Sequence, residues 1–180
     1  MKWALQDLKE YNTKPLSVDE TLNVESDLLN RYSDGILSST PFQVHADVLY
    51  DRGNAVVNAR ATGEITVPSS RSLTPVKMPL DFHIDEIYVP DREAIKLYDK
   101  DDVVMVLGKK QIINFDKSVA DNIILQIPMH ILSPKEDKYH IMPKGHDWEV
   151  MTEDEFYHPK ADHKHVDPRL AKLKDYFKNK

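Results

Sequence analysis

The sequence predicts an α+β fold: an antiparallel β-meander closing partway into a barrel-like sheet, with one helix packed on it after Asp116 and short helices at both ends. Two observations carry the sheet. Val57, Ala59, Ala61, Gly63, Ile65 and Val67 fall on every second residue, and so do Val76, Met78, Leu80, Phe82 and Ile84. A period of two places each set on one face of a strand. The helix rests on a third observation. Val119, Ile123, Ile124 and Ile127 recur at helical spacing, with Ala120 and Leu125 widening the band, which is the apolar stripe of a helix lying on a core.

Taken in order, Leu5, Leu8 and Tyr11 sit three apart, so residues 1–12 read as a short helix ended by Lys14-Pro15. In Leu16–Arg31, Asp27–Arg31 reads as a helical turn and the remainder as extended chain. Ser33-Asp34-Gly35 is a turn. Phe42, Val44, Ala46, Val48 and Tyr50 alternate, which makes 41–50 a strand, and Asp51-Arg52-Gly53-Asn54 is placed for a hairpin. The opposite face of these strands carries Gln43, His45, Asp47, Asn58, Arg60, Thr62, Glu64 and Thr66, as expected when one side of a sheet meets water. The alternation of the third strand breaks at Asp85–Val89, which reads as a bulge or as the strand's exit. Residues 90–102 form a charged surface excursion with helical character at Glu93–Leu97. Val103–Leu107 is a short strand, and Gln111–Phe115 a short extended piece. Asp116 is the expected N-cap of a helix over Lys117–Gln126, closed by Pro128. Met129–Leu132 continues extended, and Pro134–Lys138 reads as a charged turn.

Residues 1–133 therefore read as one β-rich domain with an N-terminal helical segment. Residues 134–180 read as a flexible acidic and His-rich arm followed by a terminal helix. That arm holds His140, His146, His158, His163 and His165, lacks periodicity, and has Trp148 as its candidate anchor. Asp167-Pro168 opens the last helix, with Leu170, Leu173, Tyr176 and Phe177 on one stripe.

Composition excludes several functions. With no cysteine, there can be no disulfide, thiolate metal site or Cys nucleophile. No apolar run approaches the roughly 20 residues a bilayer needs, and the N-terminus has no secretory core, so the expected setting is the cytoplasm, away from membranes. The net charge of −6 argues against broad nucleic-acid binding. It is unevenly placed, because residues 169–180 hold one Arg and four Lys against one Asp, a tail of +4 on a body of −10. A basic tail can reach RNA or an acidic partner; it can equally be a solvated helix end.

Motifs for chemistry are sparse. His158, Asp162, His163 and His165 cluster four potential ligands, yet the spacing matches no structural zinc pattern. Ser69, Ser70 and Ser72 lack a nucleophile elbow and read as turn serines. Asp81, Asp85, Asp99, Asp101 and Asp102 show no pair set apart from surface charge. The five glycines never cluster into a phosphate loop. Arg71 stands out as a lone cation in the connection between the two long strands, where a guanidinium suits phosphate or carboxylate, or pins the loop. Pro68 and Pro75 frame that connection, and loops on rigid strands often carry sites.

Three stretches together resemble one family. They are Val67-Pro-Ser-Ser-Arg-Ser-Leu-Thr-Pro-Val76; Val119-Ala-Asp-Asn-Ile-Ile-Leu-Gln-Ile-Pro128 with Met129–Ser133; and Val166-Asp-Pro-Arg-Leu-Ala-Lys-Leu-Lys174. They resemble the YceD family, the large ribosomal RNA subunit accumulation proteins, and Met1-Lys2-Trp3 and Asp19-Glu20-Thr21 resemble its Gram-positive branch. Many members carry Cys-x-x-Cys in the first stretch, with Arg before the second Cys and further Cys after the second stretch, an arrangement suited to zinc. The matching positions here are Ser69 and Ser72, with Arg71 kept and Ser133 near the later one. The resemblance thus implies a member without metal or cofactor, its loop held by packing and hydrogen bonds. It implies a role in ribosome biogenesis, whose partner is a large-subunit rRNA precursor or pre-ribosomal particle; because no motif above supports an enzyme, the expectation is a non-enzymatic factor. The expected contacts are Ser69, Ser70, Arg71, Ser72, Arg169, Lys172 and Lys174. Two further readings stand beside it: a metal-dependent hydrolase acting on rRNA through the His-rich arm, and an adaptor that docks a basic ribosomal protein.

Overall fold

The computed structural model describes residues 1–139, 142–151 and 153–157. The chain groups into two units, Met1–Lys138 and Tyr139–Lys180. The first runs past the expected edge at Ser133.

The first unit is mixed α and β. Its strands are β1 (Lys2–Ala4), β2 (Leu16–Leu22), β3 (Ser38–Ser39), β4 (Phe42–Asp51), β5 (Asn54–Pro68), β6 (Pro75–Val89), β7 (Val104–Val106) and β8 (Ile112–Asn114). Its helices are α1 (Glu25–Arg31), α2 (Phe115–Leu125) and, but for its last residue, α3 (Pro134–Tyr139). The main sheet runs β2-β4-β5-β6-β7, with β3 also on β5. Its long pairings are antiparallel, and β7 joins β6 in parallel. The sheet is open, with β2 and β7 at its ends, so it forms no closed barrel.

The alternation works as the sequence suggests. Phe42, Val44, Ala46 and Val48 of β4 are buried with Val57, Ala59, Ala61, Ile65 and Val67 of β5 and Phe82 and Ile84 of β6. Burying each large apolar side chain contributes about 1.5–3 kcal/mol. The β4–β5 hairpin closes through Arg52 (φ 47°) and Gly53 (φ 95°), the positive-φ pair that a tight two-residue turn demands. Gly63 has a packing reason. A Cβ there would lie 2.7 Å from the ring of Phe42, which is fully buried across the strand pair.

Several local expectations need correction. The N-terminal segment begins as β1, paired with β8 (Trp3 opposite Ile113), and only Asp7–Tyr11 is helical, as a 3-10 turn. Residues 2–4 lie ahead of the three-residue spacing, and pairing with a distant strand sets their conformation. Strand β6 neither bulges nor exits at Asp85 and runs unbroken to Val89. The apparent break is Glu86, which occupies the core-facing position and is buried. Helix α2 starts at Phe115, so Asp116 lies in its first turn and not at the cap; its carboxylate pairs with the Met1 amino group. Residues 134–139 form α3 where a charged turn was expected.

Glu86 explains how α2 sits on the sheet. Its Oε2 accepts hydrogen bonds from Tyr88 Oη and from Ser118 Oγ (2.6 Å), and its Oε1 accepts from Asn122 Nδ2 (2.9 Å). A buried carboxylate is tolerable only when so satisfied. Burial, reinforced by the Glu86 hydrogen bond, raises the Tyr88 phenol above its ordinary pKa. On the apolar side, Phe115, Val119, Ala120 and Ile123 are fully buried, and the Trp3 and Phe115 rings lie 5.3 Å apart.

In the second unit, Lys144 pairs with Glu149, closed by Gly145 N–H donating to Trp148 C=O at 2.7 Å. Trp148 lies against Gly145 but remains exposed, and α4 (Glu153–Tyr157) follows. His158, Asp162, His163, His165 and the expected terminal helix lie outside the described residues.

Candidate functional site

The connection from β5 to β6 is built by its serines. Ser69 is fully buried. Its N–H donates to Thr74 C=O (2.8 Å) and its C=O accepts from Leu73 N–H (3.1 Å), which closes the loop on itself. Ser69 Oγ accepts from the Arg71 N–H at 3.1 Å and donates to Glu136 Oε2 at 2.7 Å. Ser70 N–H donates to Ile131 C=O (2.8 Å), while Ile131 N–H returns a bond to Ser70 Oγ (2.9 Å). Ser72 Oγ and Thr74 Oγ1 lie 2.8 Å apart. A short hydroxyl that reaches nearby amides suits such turns.

Glu136 is the residue that sequence reasoning missed. It belongs to Ser133-Pro-Lys-Glu136, the Ser-x-x-Glu pattern of a capping box. Glu136 N–H donates to Ser133 Oγ (3.3 Å), and Ser133 N–H donates to Glu136 Oε2 (2.7 Å). The same Oε2 receives Ser69, so one buried carboxylate both starts α3 and bolts the β5–β6 loop to it. The Ser72 hydroxyl, the Ser69 hydroxyl and the Ser133 amide, in that order, draw the Glu136 carboxyl down to about 2. Ser69 and Ser133 bond to the carboxylate directly, and the Ser72 hydroxyl also meets Thr74. Glu136 Oε1 is buried without a hydrogen-bond partner.

The expected site residues thus divide. Ser69 through Ser72 are brought together with the segment after α2. Ser69 is interior and serves the loop's shape, whereas Ser70 and Ser72 are exposed and Arg71 is half-buried. Leu73, not singled out from the sequence, is exposed at the loop's tip with φ 59°, a left-handed conformation uncommon for leucine. Arg169, Lys172 and Lys174 lie outside the described residues.

The polar sheet face forms an ordered second feature. Asp19, His45, Arg60 and His83 stand opposite one another across β2, β4, β5 and β6. His45 Nδ1 meets Asp19 Oδ1 at 2.7 Å, a hydrogen bond that raises the imidazole pKa. Arg60 clasps Asp81 with two bonds (2.8 and 2.6 Å), which lowers the Asp81 pKa. His45 and Arg60 are each matched by a carboxylate on their own face.

Residues 57–176 match the family described as "Large ribosomal RNA subunit accumulation protein YceD". The chain belongs to the YceD family. It is also 27% identical to the uncharacterized protein YlbN of Bacillus subtilis (strain 168), over 99% of this chain and 97% of that one. No solved structure matches. The YceD match includes the β5–β6 loop and α3, so the Ser69–Glu136 bolt lies within the family domain. The residues present do not fit the zinc site that the family's Cys-x-x-Cys pattern implies. Ser69 and Ser72 offer neutral hydroxyls that are already engaged, with one carboxylate between loop and helix, and zinc favours thiolate or imidazole. Among the described residues, no three His, Cys, Asp or Glu cluster to hold a metal ion, and no helix is long and apolar enough to cross a membrane.

Proposed function

We propose that this YceD-family protein is a non-catalytic ribosome biogenesis factor, active in the cytoplasm, that supports accumulation of large-subunit rRNA by binding its precursor or a pre-ribosomal particle. The observation that carries the reading is the β5–β6 loop. A loop anchored at Ser69 to Glu136 and at Ser70 to Ile131 keeps its shape before a partner arrives, and a preformed surface loses less entropy on binding. It offers the Ser70 and Ser72 hydroxyls, the Arg71 guanidinium and the exposed Leu73 side chain. Arg169, Lys172 and Lys174 provide a second, electrostatic grip on phosphate.

The experiment is co-sedimentation of the full chain with large-subunit precursors, with cross-linked residues mapped. Substituting Arg71, Arg169, Lys172 and Lys174 together by Ala is expected to release the protein from the precursor fraction. Unchanged sedimentation refutes these residues as the contact. Cleavage of precursor rRNA by the purified protein with Mg²⁺ or Mn²⁺ refutes the non-catalytic reading.

A further inference from the structure

The two ends of the main sheet are treated differently. β2 carries Asp19 and Glu20, the sort of charge that discourages another strand from pairing there. β7 lies in Val103-Val104-Met105-Val106-Leu107, with no charge, proline or glycine. Val103, Met105 and Val106 are exposed, and Ile95 and Leu97 from the preceding 3-10 turn (Ala94–Leu97) are exposed as well. No described strand pairs with the outer side of β7. An uncharged, β-branched edge of this kind is a template for another strand.

The backbone shows which groups are available. Val103 C=O accepts from Ile87 N–H (2.9 Å), and Leu107 N–H donates to Val89 C=O (2.8 Å). Alternate residues of a strand turn their peptide groups to the same neighbour, so 103, 105 and 107 serve β6, while Val104 and Val106 turn theirs outward. The flanks are of opposite charge. Asp99-Lys100-Asp101-Asp102 precedes the strand and is net negative; Gly108-Lys109-Lys110 follows it and is net positive.

We infer that β7 is a homodimer seam, at which the outward peptide groups of Val104 and Val106 pair antiparallel with those of a second copy and extend the main sheet across a two-fold axis at Met105. In that register Val104 of each copy faces Val106 of the other, and each such pair can exchange both of its hydrogen bonds. Met105 faces its own counterpart as a non-hydrogen-bonded pair. The antiparallel direction brings the acidic turn of one copy to the lysines of the other. That complementarity selects a second copy over an unrelated strand, because the single sequence carries both halves of the match. The seam is short, so the dimer is weak and dissociates on dilution.

Sedimentation equilibrium of the full chain is expected to show a concentration-dependent monomer–dimer equilibrium. Val106→Pro removes only an outward donor and is expected to leave a folded monomer. A chain that stays monomeric at every concentration, or a dimer that Val106→Pro leaves intact, overturns the inference. A charge-swap pair, whose mixture must recover what each variant loses, guards against misfolding of that variant. Asp101→Lys with Asp102→Lys in one protein, and Lys109→Asp with Lys110→Asp in another, should each weaken self-association, and mixing the two should restore dimers. Failure of the mixture to dimerise contradicts the antiparallel seam.

Position 105 gives a covalent readout, because the protein has no cysteine of its own. Non-hydrogen-bonded antiparallel residues have Cα atoms about 4.5 Å apart, within disulfide range. Met105→Cys is expected to oxidise to a covalent dimer much faster than Ile112→Cys, a comparably exposed control. Equal rates contradict a two-fold axis at Met105.

Discussion

Glu136 shows how much one side chain decides here. Its carboxyl is held at about 2 instead of 4.5, so the folded state prefers the charged form more strongly than the unfolded chain does. A depressed carboxyl pKa stabilises the fold above the unfolded value, and that contribution is lost as pH falls through the folded value. Wild-type protein is therefore expected to lose stability as pH drops from about 4.5 toward 2. Glu136→Gln should be less stable than wild type at neutral pH, with the gap closing in acid. Thermal melts of both proteins across that range check it, and a pH-independent gap refutes the bolt. Gly63 is decided by space. Its missing Cβ leaves room for the Phe42 ring, so Gly63→Ala is expected to cost about 1–3 kcal/mol in a urea titration. Both residues were partly visible in the sequence. Ser133 and Glu136 stand at capping-box spacing, and Gly63 interrupts an apolar face. Neither spacing shows that Ser69, far earlier in the chain, shares the carboxylate, because that contact depends on the return of the chain after α2.

Elements were legible wherever one local pattern governed them. β4, β5 and β6 follow their alternation, and α2 follows its stripe of Val119, Ala120 and Ile123. The misread elements are those where a distant partner outweighs the local signal. Residues 2–4 read as helical with Leu5, Leu8 and Tyr11 but pair with β8, and Glu86 looks like a break in β6 but is that strand's polar lock on α2. The lock has a measurable consequence. Ser118→Ala removes one donor to the Glu86 carboxylate and leaves a buried oxygen less satisfied, at an expected cost of about 1–3 kcal/mol. Denaturant titration of that variant checks the value, and a neutral result places the α2–β6 attachment in apolar packing alone. The β5–β6 loop was legible as a loop through Pro68, Pro75 and its serines. Its rigidity was not, since the braces at Ile131 and Glu136 lie outside it.

For the molecule as a whole, the sequence conveys charge better than topology. Nothing local reveals that β7 runs parallel to β6, because the connection of residues 90–103 has no motif that fixes direction. The charge division, by contrast, can be counted: residues 169–180 carry +4 against −10 for the remainder. A body of that sign repels phosphate, and on the sheet face Arg60 and His45 are already held by Asp81 and Asp19. Under the proposed function, net attraction to RNA comes from the tail, with the β5–β6 loop adding shape and one guanidinium. Each phosphate neutralised on a single strand contributes about −0.7 to the slope of log affinity against log salt. Replacing Arg169, Lys172 and Lys174 with Ala should therefore flatten the slope for precursor rRNA by roughly 2. Arg71→Ala alone should flatten it by less than 1 while lowering affinity at every salt concentration. If the tail variant keeps the wild-type slope, the basic segment neutralises no phosphate and the particle is gripped through protein contacts instead.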